Sequence, residues 1–215
     1  MADGVGASRQ AIEYHYDLGR EFYGLWLDPS LTYSAAMFAP DLGLEAAQAR
    51  KIDFHLDNVD ITRCARLLDV GCGWGGVLTR AVERRPGLKA TGLTLSPDQA
   101  AHVDARGLPG VKVRLEDWRG HAPEGRYDGI VTIGAFEHFA GPGLQSHEKI
   151  AVYREFFRTC RTWGSSPQRS QTRHRIFNNS LNIMPILEFS SPQNGPHLGA
   201  HFQGEDSERI GELFV

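Results

Sequence analysis

The hydrophobic residues of this chain recur at helical spacing up to about residue 60 and then gather into short runs of strand length. Residues 10–27 predict an amphipathic helix whose apolar positions are Ile12, Leu18, Phe22, Leu25 and Trp26. Asp28, Pro29 and Ser30 end this helix, and residues 31–38 predict a loop of small residues. Residues 44–56 predict a second helix, which offers for packing Ala46, Ala47, Ile52 and Phe54.

From residue 66 the pattern alternates strand, turn and helix, which is typical of a parallel sheet covered by helices on both faces. Strands are predicted at residues 66–70, 89–93, 111–115 and 127–133. Helices are predicted at residues 75–85, after Ser96 and Pro97, and at residues 147–163. The fold class predicted from this order is α/β, with a Rossmann-like sheet preceded by helices.

The alternation stops after Trp163. Residues 164–180 are polar and basic without a period, and residues 183–189 predict at most a strand interrupted by Pro185. Without a further strand the fourth strand becomes a sheet edge, so either a later segment completes the sheet or the sheet is incomplete. The predicted units are a helical lid at residues 1–62, a ligand-binding core at 63–163 and a divergent tail at 164–215.

Residues 65–76, ARLLDVGCGWGG, combine a buried strand with a glycine-rich turn that opens a helix. Gly71, Gly73 and Gly76 have the G-x-G-x-x-G spacing, which lets the backbone approach a ligand at a helix start. A plain connection between strand and helix is the alternative. The turn therefore predicts a nucleotide pocket and does not identify the nucleotide.

The ends of the second and third strands narrow the choice of ligand. A dinucleotide site expects an acid at the end of the second strand, where this chain has Thr94 and Leu95 and no acid before Asp98, so NAD is disfavoured. The third strand ends in Glu116, Asp117 and Trp118, where an adenine could stack on the indole and donate to a carboxylate. With Asp69 and the glycine turn, this pattern indicates S-adenosylmethionine; a loop with a partly buried tryptophan is the alternative.

The composition of the chain limits which binding partners and which cellular compartment are expected. The chain has 215 residues and a formal net charge of -3, which gives no reason to expect nucleic acid. Three cysteines without a C-x-x-C pair favour a reducing compartment, and no metal site is predicted, because His197 and His201 stand in a stretch rich in Gly and Pro. No leader-like segment and no run of about 18 apolar residues is present, so we expect a cytoplasmic protein without a membrane span.

Five segments between residue 14 and about residue 163 carry a family resemblance, namely HYDLGREFYGLWLDPSLTYS, LLDVGCGWGG, TGLTLSPDQ, EDWR and IGAFEHF. In this order and spacing they resemble the cyclopropane fatty acid synthase family, which includes the mycolic acid cyclopropane synthases and uses S-adenosylmethionine. The resemblance implies that His15 and Tyr16 lie on a lid helix and that Gln99 makes the ribose contacts. It places at the cofactor Tyr33, Ser34, Gly71, Cys72, Gly73, Thr94, Leu95, Gln99 and Trp118.

The resemblance also implies the chemistry, which is transfer of a methyl or methylene group to an unsaturated acyl lipid or a similar small molecule at the membrane periphery. Glu137 of the EHF motif would help to hold a bicarbonate that acts as base, and its neighbour His138 is either a proton relay or a packed histidine. For Glu137 itself a carboxylate at a helix start is the structural alternative. Ala35 stands where the family has a cysteine of the bicarbonate pocket, so one ligand is missing.

Two other functions stay open at this point. Ala35 makes C-methylation without ring closure, for example of a small metabolite, plausible. The unmatched tail makes plausible an inactive remnant that binds the cofactor or hardly folds.

Overall fold

The computed structural model describes residues 19–141, 143–164, 174–177 and 187–189, and the last two ranges as backbone only. Its strands are β1 (Arg66–Val70), β2 (Lys89–Thr94), β3 (Val111–Leu115), β4 (Gly129–Val131), β5 (His174–Phe177) and β6 (Leu187–Phe189). Its helices are α1 (Gly19–Gly24), α2 (Leu44–Asn58), α3 (Gly76–Arg84), α4 (Pro97–Ala105) and α5 (Ser146–Trp163). Short 3-10 helices lie at Ile61–Arg63, Trp118–Gly120 and Phe136–His138.

The strands form a six-stranded sheet in the order β3-β2-β1-β4-β5-β6. Neighbours from β3 to β5 are parallel, and β6 is antiparallel to β5. Leu67 of β1 pairs with Ala90 of β2 and with Gly129 of β4. Because β1, β2, β3 and β4 run the same way, the loops that follow these strands share one edge of the sheet, where ligands bind in open α/β sheets.

Side chains alternate between two cores along β1. Leu67 packs with residues of α2, α3 and α4 on one face, whereas Leu68 and Val70 pack on the other face with an aromatic cluster from α5 and the loops after β3 and β4. This alternation follows from the period of two in a strand. The sheet is therefore covered on both faces, as the sequence pattern predicts.

Most predicted boundaries agree with the structure to within three residues. β1 and β3 match their predictions, and Ser96 caps α4 by accepting a hydrogen bond from the Gln99 N–H, with Pro97 in the first turn. β4 is shorter than predicted, although Tyr127 still forms a parallel bridge to Gly164.

The prediction for the segment after α5 was wrong at one point. Residues 164–180 gave no strand signal, yet His174–Phe177 pairs in parallel with β4 and Leu187–Phe189 pairs with β5. Of the two alternatives, a later segment adds to the sheet, so β4 is not an edge. The signal was missed because four residues are too few to show a period.

The packing faces of two helices also differ from the sequence interpretation. α2 buries Ala47, Gln48, Lys51, Ile52, His55 and Leu56, whereas Ala46 and Phe54 are exposed. The buried residues follow the helical period, which apolar letters alone do not reveal. In α1 the buried residue is Tyr23 rather than Phe22, and the turn after Gly24 exposes Leu25 and Trp26.

The three predicted units stay a prediction. Ile52 and Leu56 of α2 belong to the same core as Leu67 of β1, so this helix packs directly on the sheet. Residues 1–18, including His15 and Tyr16, and the histidines 197 and 201 lie outside the described residues.

Candidate functional site

The turn after β1 gives its first two glycines different roles. Gly71 has φ +80°, and its N–H and that of Cys72 donate to the Leu93 carbonyl at 3.0 and 2.8 Å. A Cβ at Gly71 would collide with the Cβ of Ala135, whereas a Cβ at Gly73, with φ +52°, would meet no atom within 4 Å. Gly71 is thus needed for packing, and Gly73 leaves space beside the backbone where a ligand could approach.

Gly76, the third glycine of the motif, allows a loop to pack against the start of α3. A Cβ there would lie 2.8 Å from Thr32 Oγ1 and 3.4 Å from Ser30 Oγ. Asp28 folds this loop by accepting hydrogen bonds from the Ser30 and Thr32 N–H groups, each at 3.0 Å, and from the Ser30 hydroxyl. The loop of residues 28–35 is therefore docked next to the glycine turn.

Helix α2 holds the same loop from the other side. Gln48 Nε2 donates to the carbonyls of Thr32 and Ser34 at 3.1 and 2.8 Å, and Lys51 Nζ donates to Ser34 Oγ at 2.6 Å. Ser34 also adjoins the loop after β4, since a Cβ at Gly134 would lie 3.5 Å from the Ser34 Cβ. These contacts place Ser34 next to the loop after β4, and the contact of Tyr33 and Ser34 with a cofactor stays a prediction.

Tyr33 lies in an aromatic group on this loop. Its ring is 5.3 Å from Tyr23 and 5.4 Å from Trp26, measured between centroids, and its side chain is partly exposed. The neighbouring Ala35 is exposed and offers only a methyl group.

Thr94 and Gln99 form a hydrogen-bonded pair where β2 ends. The Thr94 hydroxyl accepts from the Ser96 N–H at 3.1 Å and donates to Gln99 Oε1 at 2.7 Å. This leaves the Gln99 Nε2 as a donor. Both side chains are buried, and Leu95 between them is half-buried.

The residues after β3 are engaged in contacts that the sequence did not reveal. Glu116 lies 2.6 Å from His121 Nδ1, whose Nε2 is 3.0 Å from the Tyr127 hydroxyl. Asp117 accepts from the Arg119 N–H at 2.8 Å and so begins the 3-10 helix.

The Trp118 indole is 3% exposed and packs among Phe139, Phe156 and the guanidinium of Arg119, which lies 4.3 Å from the ring centroid. Its Nε1 has no hydrogen-bond partner. Adenine stacking on Trp118 stays a prediction, and the Arg119 guanidinium already occupies one face of the ring.

Asp69 is buried at the end of β1, and one of its carboxylate oxygens, Oδ2, has no hydrogen-bond partner. Burial raises the pKa of Asp69 to about 7, against the opposing charge of Lys51. Burial lowers the pKa of Lys51 to about 8, against the charges of Asp28 and Asp69. Asp69 therefore faces α2 rather than an open edge, and a direct cofactor contact from it stays a prediction.

Cys72 is a packing residue in this structure. A Cβ at Gly92 would lie 2.7 Å from its Sγ, so the thiol fills the space above a glycine of β2. Burial raises the pKa of the Cys72 thiol well above its ordinary value, which keeps it protonated and unreactive.

Glu137 and His138 lie on the 3-10 helix Phe136–His138 that follows β4, and both are exposed. Phe136 anchors this helix by stacking on Tyr153 of α5, with centroids 4.6 Å apart. Burial raises the pKa of the Tyr153 hydroxyl, and the charge of Glu137 adds to the shift. The carboxylate of Glu137 thus stands near Tyr153, at the same sheet edge as the glycine turn.

Sequence reasoning missed Asp28, Gln48 and Lys51, the polar residues that hold the loop of residues 28–35. The available signal was the position of Gln48 and Lys51 on the apolar stripe of α2. A lysine at such a position is unusual, because lysines are rarely buried without partners.

The family model described as Mycolic acid cyclopropane synthetase matches residues 6–166. The chain belongs to this family. Cyclopropane mycolic acid synthase 2 of Mycobacterium leprae is 42% identical over 161 residues, which cover 70% of this chain and 50% of that protein. The chain spans about half the length of the curated relatives it matches.

Solved structures agree with this membership. The mycolic acid cyclopropane synthase CmaA1 complexed with SAH and CTAB is 36% identical with a TM-score of 0.66, over 79% of this chain and 55% of that one. The cyclopropane synthase MmaA2 from Mycobacterium tuberculosis is 32% identical with a TM-score of 0.67, over 82% and 57% of the two chains.

The described residues contain neither a metal-binding cluster nor a membrane-spanning helix. Within residues 19–141 and 143–164, no cluster of three or more His, Cys, Asp or Glu side chains could hold a metal ion. Over the part that the structure describes, none of the helices has the length and apolar character needed to cross a membrane.

Proposed function

We propose that this chain binds S-adenosylmethionine and transfers its methyl group to the double bond of an unsaturated acyl lipid or a similar small molecule. The observation that carries the proposal is the arrangement at the sheet edge. The glycine turn follows β1, the Thr94–Gln99 pair follows the neighbouring β2, and Ser34 adjoins the loop after β4 on the other side. The lipid acceptor is supported by the name of a relative, Cyclopropane mycolic acid synthase 2.

The residues present fit the cofactor. The Thr94 hydroxyl donates to Gln99 Oε1, so the Gln99 Nε2 remains to donate to the ribose oxygens. In dinucleotide sites an acid binds the ribose instead. Gln99 follows β2 and Trp118 follows β3, so the adenosine end belongs over these two strands. The sulfur and the amino-acid end then belong over β1 and β4, beside Gly71, Gly73 and Ser34.

When bound, S-adenosylmethionine would supply a methyl group on a positively charged sulfur. The π electrons of an unsaturated chain would attack the methyl carbon in line with the C–S bond, which breaks as the new C–C bond forms. The task of the protein is to align the two partners and to exclude water from the cation that forms on the acyl chain. Phe136 and Tyr153 provide an aromatic wall close to the site.

Glu137 is proposed to take the proton that the transferred methyl group must lose before the ring closes. Its side chain is exposed and lies on the 3-10 helix that follows β4, at the sheet edge that also carries the glycine turn. A bicarbonate site does not fit well here, because the side chain of Ala35 has no polar group. We therefore route no step through bicarbonate, and His138 stays a candidate for the relay of the proton to solvent.

C-methylation without ring closure is a second candidate, which Ala35 favours. If the base removes the proton from a carbon of the acyl chain instead of the new methyl group, the product is a methyl-branched alkene. Both products gain one CH₂ unit, so their masses are equal and their NMR spectra distinguish them.

The test begins with calorimetric titration of the purified chain with S-adenosylmethionine and S-adenosylhomocysteine. Vesicles of unsaturated phospholipid and methyl-labelled cofactor follow, with the acyl chains analysed by mass spectrometry and NMR. We expect binding and a gain of one labelled carbon. Absence of binding would contradict the proposal and favour a remnant that hardly folds. Binding without transfer to acyl chains would contradict the lipid acceptor and leave a remnant that only binds the cofactor. A cytoplasmic location and contact with the membrane periphery remain parts of the proposal.

A further inference from the structure

Lys51 is the one lysine or arginine that is fully buried in the described part of the chain, with 0% of its surface exposed. Its ammonium group lies between the docked loop and β1, where it donates to Ser34 Oγ at 2.6 Å and faces the carboxylates of Asp28 and Asp69. A buried cation is costly unless it has partners, so this position calls for an explanation beyond packing.

The bond from Lys51 determines what the Ser34 hydroxyl can do. An ammonium group has only donors, so Ser34 Oγ is the acceptor in this pair. The hydrogen of Ser34 is then free to point elsewhere, and a hydroxyl that accepts from a cation is a stronger donor. Ser34 is thus prepared to donate to an acceptor at the sheet edge.

The backbone of the loop is held independently of this hydroxyl. Gln48 Nε2 binds the carbonyls of Thr32 and Ser34, and Asp28 binds the N–H groups of Ser30 and Thr32. The carboxylate of Asp28 is therefore committed to the loop. The Lys51–Ser34 bond is not required to explain the path of the chain.

The acceptor follows from the orientation of the cofactor, and this step rests on the proposed function. With the adenosine over β2 and β3, the amino-acid end lies over β1 and β4, and Ser34 adjoins Gly134 in the loop after β4. The strongest acceptor at that end of the cofactor is its carboxylate. We infer that Lys51 is a positioning residue that fixes the Ser34 hydroxyl as a donor to the carboxylate of the bound cofactor.

Two probes separate this role from a general role in folding. S-Adenosylhomocysteine carries the carboxylate, whereas 5′-methylthioadenosine has the same adenosine and sulfur without the amino-acid end. We expect Lys51→Met to weaken the binding of S-adenosylhomocysteine about tenfold to a hundredfold and the binding of 5′-methylthioadenosine less than twofold. Ser34→Ala should have the same selective effect, and the double variant should lose little more than the stronger single variant.

Lys112→Met is the matched control, because Lys112 is exposed and its Nζ is 3.8 Å from Glu124, away from the site. It should leave the affinity for both probes unchanged. An equal loss of affinity for both probes in Lys51→Met would assign Lys51 a merely structural role and overturn the inference. The inference would also be overturned if Ser34→Ala bound S-adenosylhomocysteine as tightly as the unaltered protein.

Thermal melting shows whether each variant is folded. If Lys51→Met does not fold, Lys51→Gln takes its place, because it keeps a polar group in the buried position while its shorter side chain carries no charge to polarise the Ser34 hydroxyl. Selective loss of affinity for S-adenosylhomocysteine is again the expected result. If the unaltered protein binds neither probe, the proposed function itself fails. If it binds both and the Lys51 variants lose both equally, only the inference on Lys51 fails.

Discussion

The hydroxyl of Thr94 donates to the side-chain oxygen of Gln99 across 2.7 Å and thereby orients the amide of Gln99. The same hydroxyl accepts from the Ser96 N–H at the start of α4, so strand, helix cap and amide are linked. A threonine thus determines that a neutral glutamine presents a donor where other nucleotide sites use an acid.

Thr94→Val should weaken S-adenosylmethionine binding about fivefold to tenfold, because the amide of Gln99 loses its orienting bond and can rotate. Calorimetric titration measures the effect. Thr91→Val is the control, since Thr91 lies earlier on the same strand and is half-buried. Equal affinities in Thr94→Val and the unaltered protein would separate Gln99 from cofactor recognition.

Gly73→Ala should lose most of its affinity for the cofactor, because the new methyl group enters the space beside the turn. The change also costs about 1–2 kcal/mol of backbone strain, since Gly73 has a positive φ. Gly87→Ala matches this strain, as Gly87 has φ +85° and open space around it at a distant turn. Both variants should lose similar thermal stability, and only Gly73→Ala should lose the cofactor; retained binding would place the cofactor elsewhere.

Glu137→Gln should keep cofactor affinity within about twofold and lower the turnover number about 10²-fold to 10⁴-fold, because the amide cannot accept the proton. Turnover is measured as label transferred to unsaturated acyl chains. Glu155→Gln is the control, an exposed carboxylate on α5. His138→Gln, measured beside it, tests the proton relay, because the exposed His138 side chain has little packing to lose. Unchanged turnover in Glu137→Gln would remove Glu137 from the reaction.

His55 should make the free energy of unfolding decrease as the pH falls below about 6.5. Burial lowers the pKa of His55 to about 4, and the charge of Lys51 acts in the same direction. The unfolded chain has a histidine pKa of about 6.5, so it binds the proton first as pH falls. The stabilising contribution of neutral His55 is complete above about pH 6.5 and is lost between about 6.5 and 4, by about 3 kcal/mol.

Denaturant unfolding of the unaltered protein and of His55→Gln at several pH values tests this. The raised pKa of Asp69 makes the free energy of unfolding change with pH in the opposite direction over the same range. Asp69 is present in both proteins, so its contribution cancels when their free energies of unfolding are subtracted. The difference in free energy of unfolding between the unaltered protein and His55→Gln should shrink by about 3 kcal/mol between pH 6.5 and 4. The control His147→Gln, at an exposed position, should show no such change. A constant difference for His55→Gln would contradict the buried neutral state.

The sequence by itself determined the elements whose signals are local. The apolar runs and glycines at residues 66–76 predicted β1, the turn and the start of α3, and Ser96 with Pro97 predicted the start of α4. The order of strands and helices was enough for a parallel sheet, and the ordered motifs were enough for the family. These features depend on residues close together in the chain, so a linear pattern contains them.

Only the tertiary structure decided which polar side chains are buried and with what partners. Lys51 meets Ser34 from seventeen positions away, and Gly76 is tightly packed because Thr32 lies against it. Glu116, predicted to meet the cofactor, pairs with His121, which is itself held by Tyr127. A buried charge or hydroxyl is stable only when distant segments bring it a partner, and that pairing is a property of the folded chain.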